Sequence, residues 1–118
     1  SEVLPQESTI IYRDGTMVTS KRSYTATLKT ASETLLIDNV VQMYKMYSYN
    51  EKNKLVAIDQ TIYKTNGDFS RREVYTLQIK DGKSFMQRVD FDQKGKKIAN
   101  YPDISTKELI PSGVVIDV

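Results

Sequence analysis

The clearest pattern in the chain lies in residues 84–101, where Phe85, Val89 and Phe91 recur at even spacing and Met86, Arg88 and Asp90 fall between them. A period of two puts the first set on one face of a pleated strand and the second on the other, as in a half-buried strand. Gln93-Lys94-Gly95-Lys96 then supplies a turn before the chain returns to Tyr101. The stretch therefore predicts an antiparallel hairpin. The same grammar occurs in residues 47–55, with Asn53 standing where the later copy has Gly95, and again in residues 63–69 around Asn66-Gly67. Glycine and asparagine are the residue types that tolerate the left-handed backbone of a tight turn.

Elsewhere the pattern is mostly of the same kind. Residues 1–7 contain Pro5 and no period, and predict a loose arm ahead of a single domain over residues 8–118. The apolar run 9–13 ends in Asp14-Gly15, a strong hairpin signal, and residues 16–24 resume with β-branched side chains. Residues 25–33 have no clean alternation and predict a loop, with or without a helical turn. Residues 34–49 are rich in Leu, Ile, Val, Met and Tyr, and Asp38-Asn39 divides them as either a turn or a bulge. The second segment, 40–49, is apolar in both phases, which suits a strand covered on both faces or one at a subunit contact.

Residues 55–64 set Val56, Ile58 and Ile62 against Ala57, Asp59, Thr61 and Tyr63. Residues 72–80 point Tyr75, Leu77 and Ile79 inward and close at Asp81-Gly82. The links are short, so consecutive strands should be antiparallel neighbours and not parallel strands joined by crossovers. Ile104, Glu108 and Leu109 then recur at helical spacing, with Asp103 or Ser105 as the cap and Pro111 as the stop. Residues 113–118 fit either a last strand or a docked tail. The fold class is mainly β (α+β): an antiparallel meander of about six to eight strands with one short C-terminal helix.

Composition narrows the function. At 118 residues the chain suits one domain, which buries about two-thirds of its unfolded surface. No apolar run approaches the ~20 residues of a membrane-crossing helix, so no transmembrane segment is expected. Seventeen basic against fifteen acidic residues leave a net charge of +2, too small a surplus to hold nucleic acid by phosphate neutralisation. With no histidine and no cysteine, a Ser-His-Asp triad, a thiolate nucleophile, a disulfide and the commonest zinc ligands are excluded. No cofactor, metal or catalytic residue is expected, and the reading is non-enzymatic. A chain beginning at Ser1 is compatible with a signal peptide or lipid anchor removed upstream.

Two carboxylate motifs have both a functional reading and an ordinary structural one. Residues 90–95 imitate a calcium loop, but Lys94 occupies its fifth position and Tyr101 its twelfth, where ligand oxygens are needed. Asp90 and Asp92, two apart on a strand, are placed to share acid–base work, although aspartates beside a turn are commonly structural. The basic sites are Lys21-Arg22, Arg71-Arg72 and Lys94-Gly95-Lys96-Lys97, interleaved with Tyr47, Tyr49, Phe69 and Tyr75. Together they suit a stacking platform or an anionic-glycan patch, while lysines that protect sheet edges account for the same residues. The candidate binding set is Arg71, Arg72, Lys94, Lys96, Lys97, Tyr47 and Tyr49. Eight tyrosines and no tryptophan favour a binding surface.

From the organising hairpin onward the order is an alternating strand with an internal Arg88, then Phe91-Asp92-x-x-Gly95-Lys96, Ile98, Tyr101, a short link, and Leu109-Ile110-Pro111-Ser112-Gly113-Val114. This order resembles the C-terminal half of the bacterial surface-adhesin protein E family, and residues 11–15 resemble that family's first Asp-Gly hairpin. The chain lacks the family's disulfide cysteines and usual tryptophans, and has one proline before Ser112-Gly113. The resemblance implies an exported, mostly antiparallel β domain with a helix, periplasmic or at the cell surface, that adheres to host or matrix molecules. The reading that follows is a protein-binding module acting through an exposed sheet face and open to homodimerisation. Two other functions fit the same residues: a periplasmic inhibitor or immunity-type protein acting through Asn66-Gly67-Asp68, and a structural fragment of a tyrosine–aspartate repeat shell.

Overall fold

The structure is a computed structural model that describes the backbone of residues 2–104 and the side chains of residues 6–102. Among the described residues eight strands follow one another: β1 (Glu2–Ile11), β2 (Met17–Thr25), β3 (Thr30–Ile37), β4 (Val40–Tyr49), β5 (Leu55–Tyr63), β6 (Phe69–Lys80), β7 (Lys83–Phe91) and β8 (Lys97–Ile104). They form one antiparallel sheet in which spatial order equals chain order. This is the meander that the short links predicted, at the upper end of the expected strand number. Among the described residues there is no helix, and substantial contacts run only between neighbouring strands.

The turns explain why the chain keeps folding back on itself. Residues 12–16, 25–29, 50–54, 64–68 and 92–96 close in the same way: the first N–H donates to the fifth carbonyl at 2.7–2.9 Å, and the fourth N–H donates to the first carbonyl at 2.8–3.1 Å. The fourth position is left-handed every time, occupied by Gly15, Leu28, Asn53, Gly67 and Gly95. Short polar side chains brace the loops, as when Asp92 Oδ1 accepts from the N–H groups of Lys94 and Lys96, both at 2.9 Å. Asp38-Asn39 and Asp81-Gly82 have positive φ at both residues, the two-residue hairpin turn whose twist matches the strands. Asp38-Asn39 is therefore a turn and not a bulge.

Three expectations are corrected. Residues 2–7 are not a loose arm but the first part of β1; the register with β2 shifts between Val3 and Gln6, at Pro5, which cannot donate to a ladder. Residues 30–33 are not loop but the start of β3. Their polarity hid them, because Ser32 meets Ser23 at 2.6 Å and Glu33 meets Arg22 at 2.5 Å across the strand pair. Residues 102–104 belong to β8 and do not begin a helix. The remainder of the expected C-terminal helix, and the segment 113–118, lie outside the described residues.

The inner face of the sheet carries the core of Tyr47, Leu55, Ile58, Tyr75 and Met86, with Tyr49 and Leu77 packed against it. The alternation read from β5 and β6 holds for Ile58, Tyr75 and Leu77. In β7 the alternation is present but inverted: Met86 is fully buried and Asp90 is 4% exposed, while Phe85, Val89 and Phe91 lie on the other face, half-buried. Pairing decides this, since Met86 lies opposite Leu77 and Arg88 opposite Tyr75. Once Tyr75 faces inward, Arg88 must as well.

Candidate functional site

Two cross-strand rows define the inner face. The first reads Gln6, Arg22, Glu33, Lys45, Gln60, Glu73, Asp90 and Ala99 from β1 to β8. Beside it, Tyr47, Ile58, Tyr75, Arg88 and Tyr101 form a second row across β4 to β8. The tyrosine hydroxyls reach from the second row into the first. Tyr47 donates to Glu33 Oε1, while Arg22 grips Glu33 Oε2. Tyr75 donates to Glu73 Oε1 at 2.7 Å, where Gln60 Nε2 also donates at 2.8 Å.

Glu73 is only 2% exposed, and its other oxygen is held by Arg71 and by Arg88 Nη2, the latter at 2.8 Å. Arg88 also forks onto Asp90 at 2.7 and 2.8 Å and lies 4.6 Å from the centre of the Tyr101 ring. Burying a carboxylate is costly unless it is paired and hydrogen-bonded, and both conditions are met here. Among the described residues no buried side-chain nitrogen or oxygen lacks a hydrogen-bond partner.

These contacts tune the titrating groups. Burial pushes the Glu33 carboxyl up, but the hydrogen bonds from Tyr47 and Arg22 outweigh it and hold the group below its usual 4.5. Burial, with the nearby Glu33 charge, pushes the Tyr49 phenol up to about 12. Burial and carboxylate partners raise Tyr47 and Tyr75 as well. The hydrogen bond to Asp90 raises the Arg88 guanidinium further, so its charge is fixed. The arrangement stabilises neutral phenols against ionised carboxylates, which is the chemistry of a structural network.

The outer face is different. Its corresponding row is Glu7, Lys21, Thr34, Tyr44, Thr61, Arg72, Phe91 and Lys97. Arg72 forks onto Asp59 at 2.9 and 2.6 Å and sits 5.5 Å from the Phe91 ring centre. The next row carries Met46 opposite Asp59. Tyr44 and Met46 are 37% and 45% exposed in the middle of the sheet. That is where an antiparallel sheet with a partner on this side would normally be covered.

The candidate residues are therefore not brought to one place. Tyr47 and Tyr49 are on the inner face, their hydroxyls donated to Glu33 and to the Thr30 carbonyl, the latter at 2.6 Å. Arg71 is also turned inward, to Glu73. Arg72 and Lys97 share the outer row with Phe91, and Lys94 and Lys96 are exposed in the adjoining turn. Asp90 faces inward onto Arg88 while Asp92 braces the turn, so the two aspartates do not converge. Tyr44 and Met46 are absent from that candidate set, although the doubly apolar phase of residues 40–49 was their signal in the sequence.

Among the described residues no cluster of three or more potential metal ligands occurs, and no helix is long and apolar enough to cross a membrane. No family model matches the chain, and neither a curated protein nor a solved structure is similar to it at a significant level.

Proposed function

We propose that this chain is a non-enzymatic protein-binding module, adhesin-like and exported from a bacterial cell, that engages its partner with the outer face of the sheet. The observation that carries the reading is the exposure of Tyr44 and Met46 at the centre of the outer face, beside Arg72 stacked on Phe91. Tyrosine, methionine and arginine are the types enriched where proteins meet, and central aromatic anchors carry most of the affinity. The inner face supports the same division of labour, because its charges are spent on one another. Export and adhesion rest on the resemblance of residues 84–114 to the adhesin family.

The test is binding of the purified chain to a panel of extracellular-matrix proteins by biolayer interferometry. Tyr44→Ala with Met46→Ala should weaken saturable binding by about tenfold or more, the loss expected for anchor residues. Arg72→Ala should add to it. Binding that is indifferent to all three substitutions, or turnover of a substrate by the purified chain, would overturn the proposal.

A further inference from the structure

The turn between β5 and β6 carries a reactive pair. Asn66 is the one asparagine in the chain that precedes a glycine, and both residues are exposed. With no side chain on Gly67, its backbone nitrogen can approach the Asn66 carboxamide without hindrance. The reaction open to the pair is an acyl transfer within the chain. The Gly67 nitrogen gives its proton to hydroxide and attacks Asn66 Cγ; the new C–N bond closes a cyclic imide, and Nδ2 leaves as ammonia with a proton taken from water. Water then adds to either imide carbonyl. Breaking the bond from the Gly67 nitrogen to Cγ gives aspartate, and breaking the bond to the main-chain carbonyl gives isoaspartate. No electrons change hands.

The folded turn holds both reacting groups back from that course. Gly67 N–H donates to the Lys64 carbonyl at 2.8 Å, which retards loss of the proton that frees the nitrogen. The carboxamide is held at both ends by Asp68: Oδ1 accepts from the Asp68 N–H at 2.9 Å, and Nδ2 donates to Asp68 Oδ2 at 3.0 Å. Attack on Cγ therefore requires the turn to open first.

We propose that Asn66 is a covalent modification site, which deamidates when the turn opens and thereafter impairs its closing. Aspartate at this position loses the Nδ2 donor and sets a second carboxylate where the 3.0 Å contact with Asp68 was, so attraction becomes like-charge repulsion. Isoaspartate also routes the main chain through Cβ and Cγ, inserting an extra carbon into the 64–68 loop. The bond from Lys64 N–H to the Asp68 carbonyl at 2.7 Å and that from Gly67 N–H to the Lys64 carbonyl then no longer fit together. Nor can the lengthened loop bulge toward β4, where even a Cβ on Gly67 would lie 3.2 Å from Val40 Cγ1. The modification is tied to opening of the β5–β6 hairpin and is independent of the outer-face reading.

Ageing the intact chain at mildly alkaline pH, folded and in urea, tests this by peptide mapping, with an isoaspartyl methyltransferase to label the product. The peptide from Thr65 to Arg71 should change before any other asparagine peptide, and at least about tenfold more slowly in the folded chain than in urea. Asp68→Ala should speed the folded reaction by about threefold or more and leave the urea rate within about twofold, since it removes the clamp and not the chemistry. In the isoaspartyl product, separated from unreacted chain, the Lys64 and Gly67 amides should exchange faster with solvent while those of β7 keep their protection. The rate comparison and the exchange measurement use the unaltered chain, so they stand even where Asp68→Ala destabilises the fold. Equal rates in folded and unfolded chain overturn the proposal, as does earlier change at another asparagine. A folded rate indifferent to Asp68→Ala, or an isoaspartyl product with unaltered exchange at Lys64 and Gly67, also overturns it.

Discussion

Glu73 and Asp90 lie directly opposite each other on β6 and β7, both buried, and Arg88 is bonded to both. Two carboxylates so placed would repel in a poorly solvated site, and the shared guanidinium turns the repulsion into a clamp between adjacent strands. Arg88→Met keeps much of the side-chain volume but leaves the pair without its common partner. The expected destabilisation is about 3–5 kcal/mol, the range for breaking a buried ion pair from one side. Urea unfolding reads it as a lower midpoint at unchanged slope. Adding Glu73→Gln to Arg88→Met should recover part of the loss; no recovery would show that the clamp acts only by packing.

Leu28 is the exception among the five like turns. At φ 65 it holds a left-handed conformation that its counterparts fill with glycine or asparagine, and it is 72% exposed. A branched side chain there is strained by about 1–2 kcal/mol. Leu28→Asn, copying Asn53, should therefore raise stability by about 0.5–1 kcal/mol. Leu28→Ala keeps the strain and should change little. Equal effects of the two substitutions in chemical denaturation would rule out backbone strain as the cause.

The turns were legible because left-handed positions select few residue types, and Asp14-Gly15, Asn53, Asn66-Gly67, Asp81-Gly82 and Gly95 mark real reversals. Strand number and antiparallel order followed from them. What stayed hidden was which face of β7 is buried, since hydrophobic alternation alone favours Phe85, Val89 and Phe91 over a set containing Arg88 and Asp90. The inner face overrides that preference because Glu73, Tyr75 and Gln60, from two other strands, complete the polar network. No local window contains those partners. For the same reason the sequence alone leaves Tyr47 and Tyr49 as surface rings, because the partners of their hydroxyls, Glu33 and the Thr30 carbonyl, belong to another strand.

Gly67 and Gly95 occupy equivalent turn positions but differ in their surroundings. A Cβ on Gly67 would sit 3.2 Å from Val40 Cγ1, whereas one on Gly95 would meet nothing within 4 Å. Both positions have positive φ, so alanine at either should cost about 1 kcal/mol through the backbone. Gly67→Ala should cost more, and Val40→Ala made alongside it should recover the excess. A double-mutant cycle by thermal unfolding checks this; additivity would place Val40 too far away to matter.

The phenols predict an alkaline limit to stability. Tyr49 is raised from 10.0 to about 12, first by burial and then by the Glu33 charge, and Tyr47 and Tyr75 are raised in the same direction. A tyrosine is neutral below its pKa, so a raised folded value means that the sheet favours the neutral form. The contribution is complete below the unfolded value of 10.0 and disappears as pH climbs through the folded one. Stability should hold to near pH 10 and then fall, with absorbance of the tyrosinate ion appearing together with unfolding. Tyr49→Phe forfeits the bond to the Thr30 carbonyl, so it should lower stability at neutral pH. It should also flatten the decline between pH 10 and 12 by about one proton's worth of slope. Urea midpoints measured from pH 8 to 11.5 in both chains provide the comparison, and parallel profiles would show that Tyr49 ionises alike in folded and unfolded states.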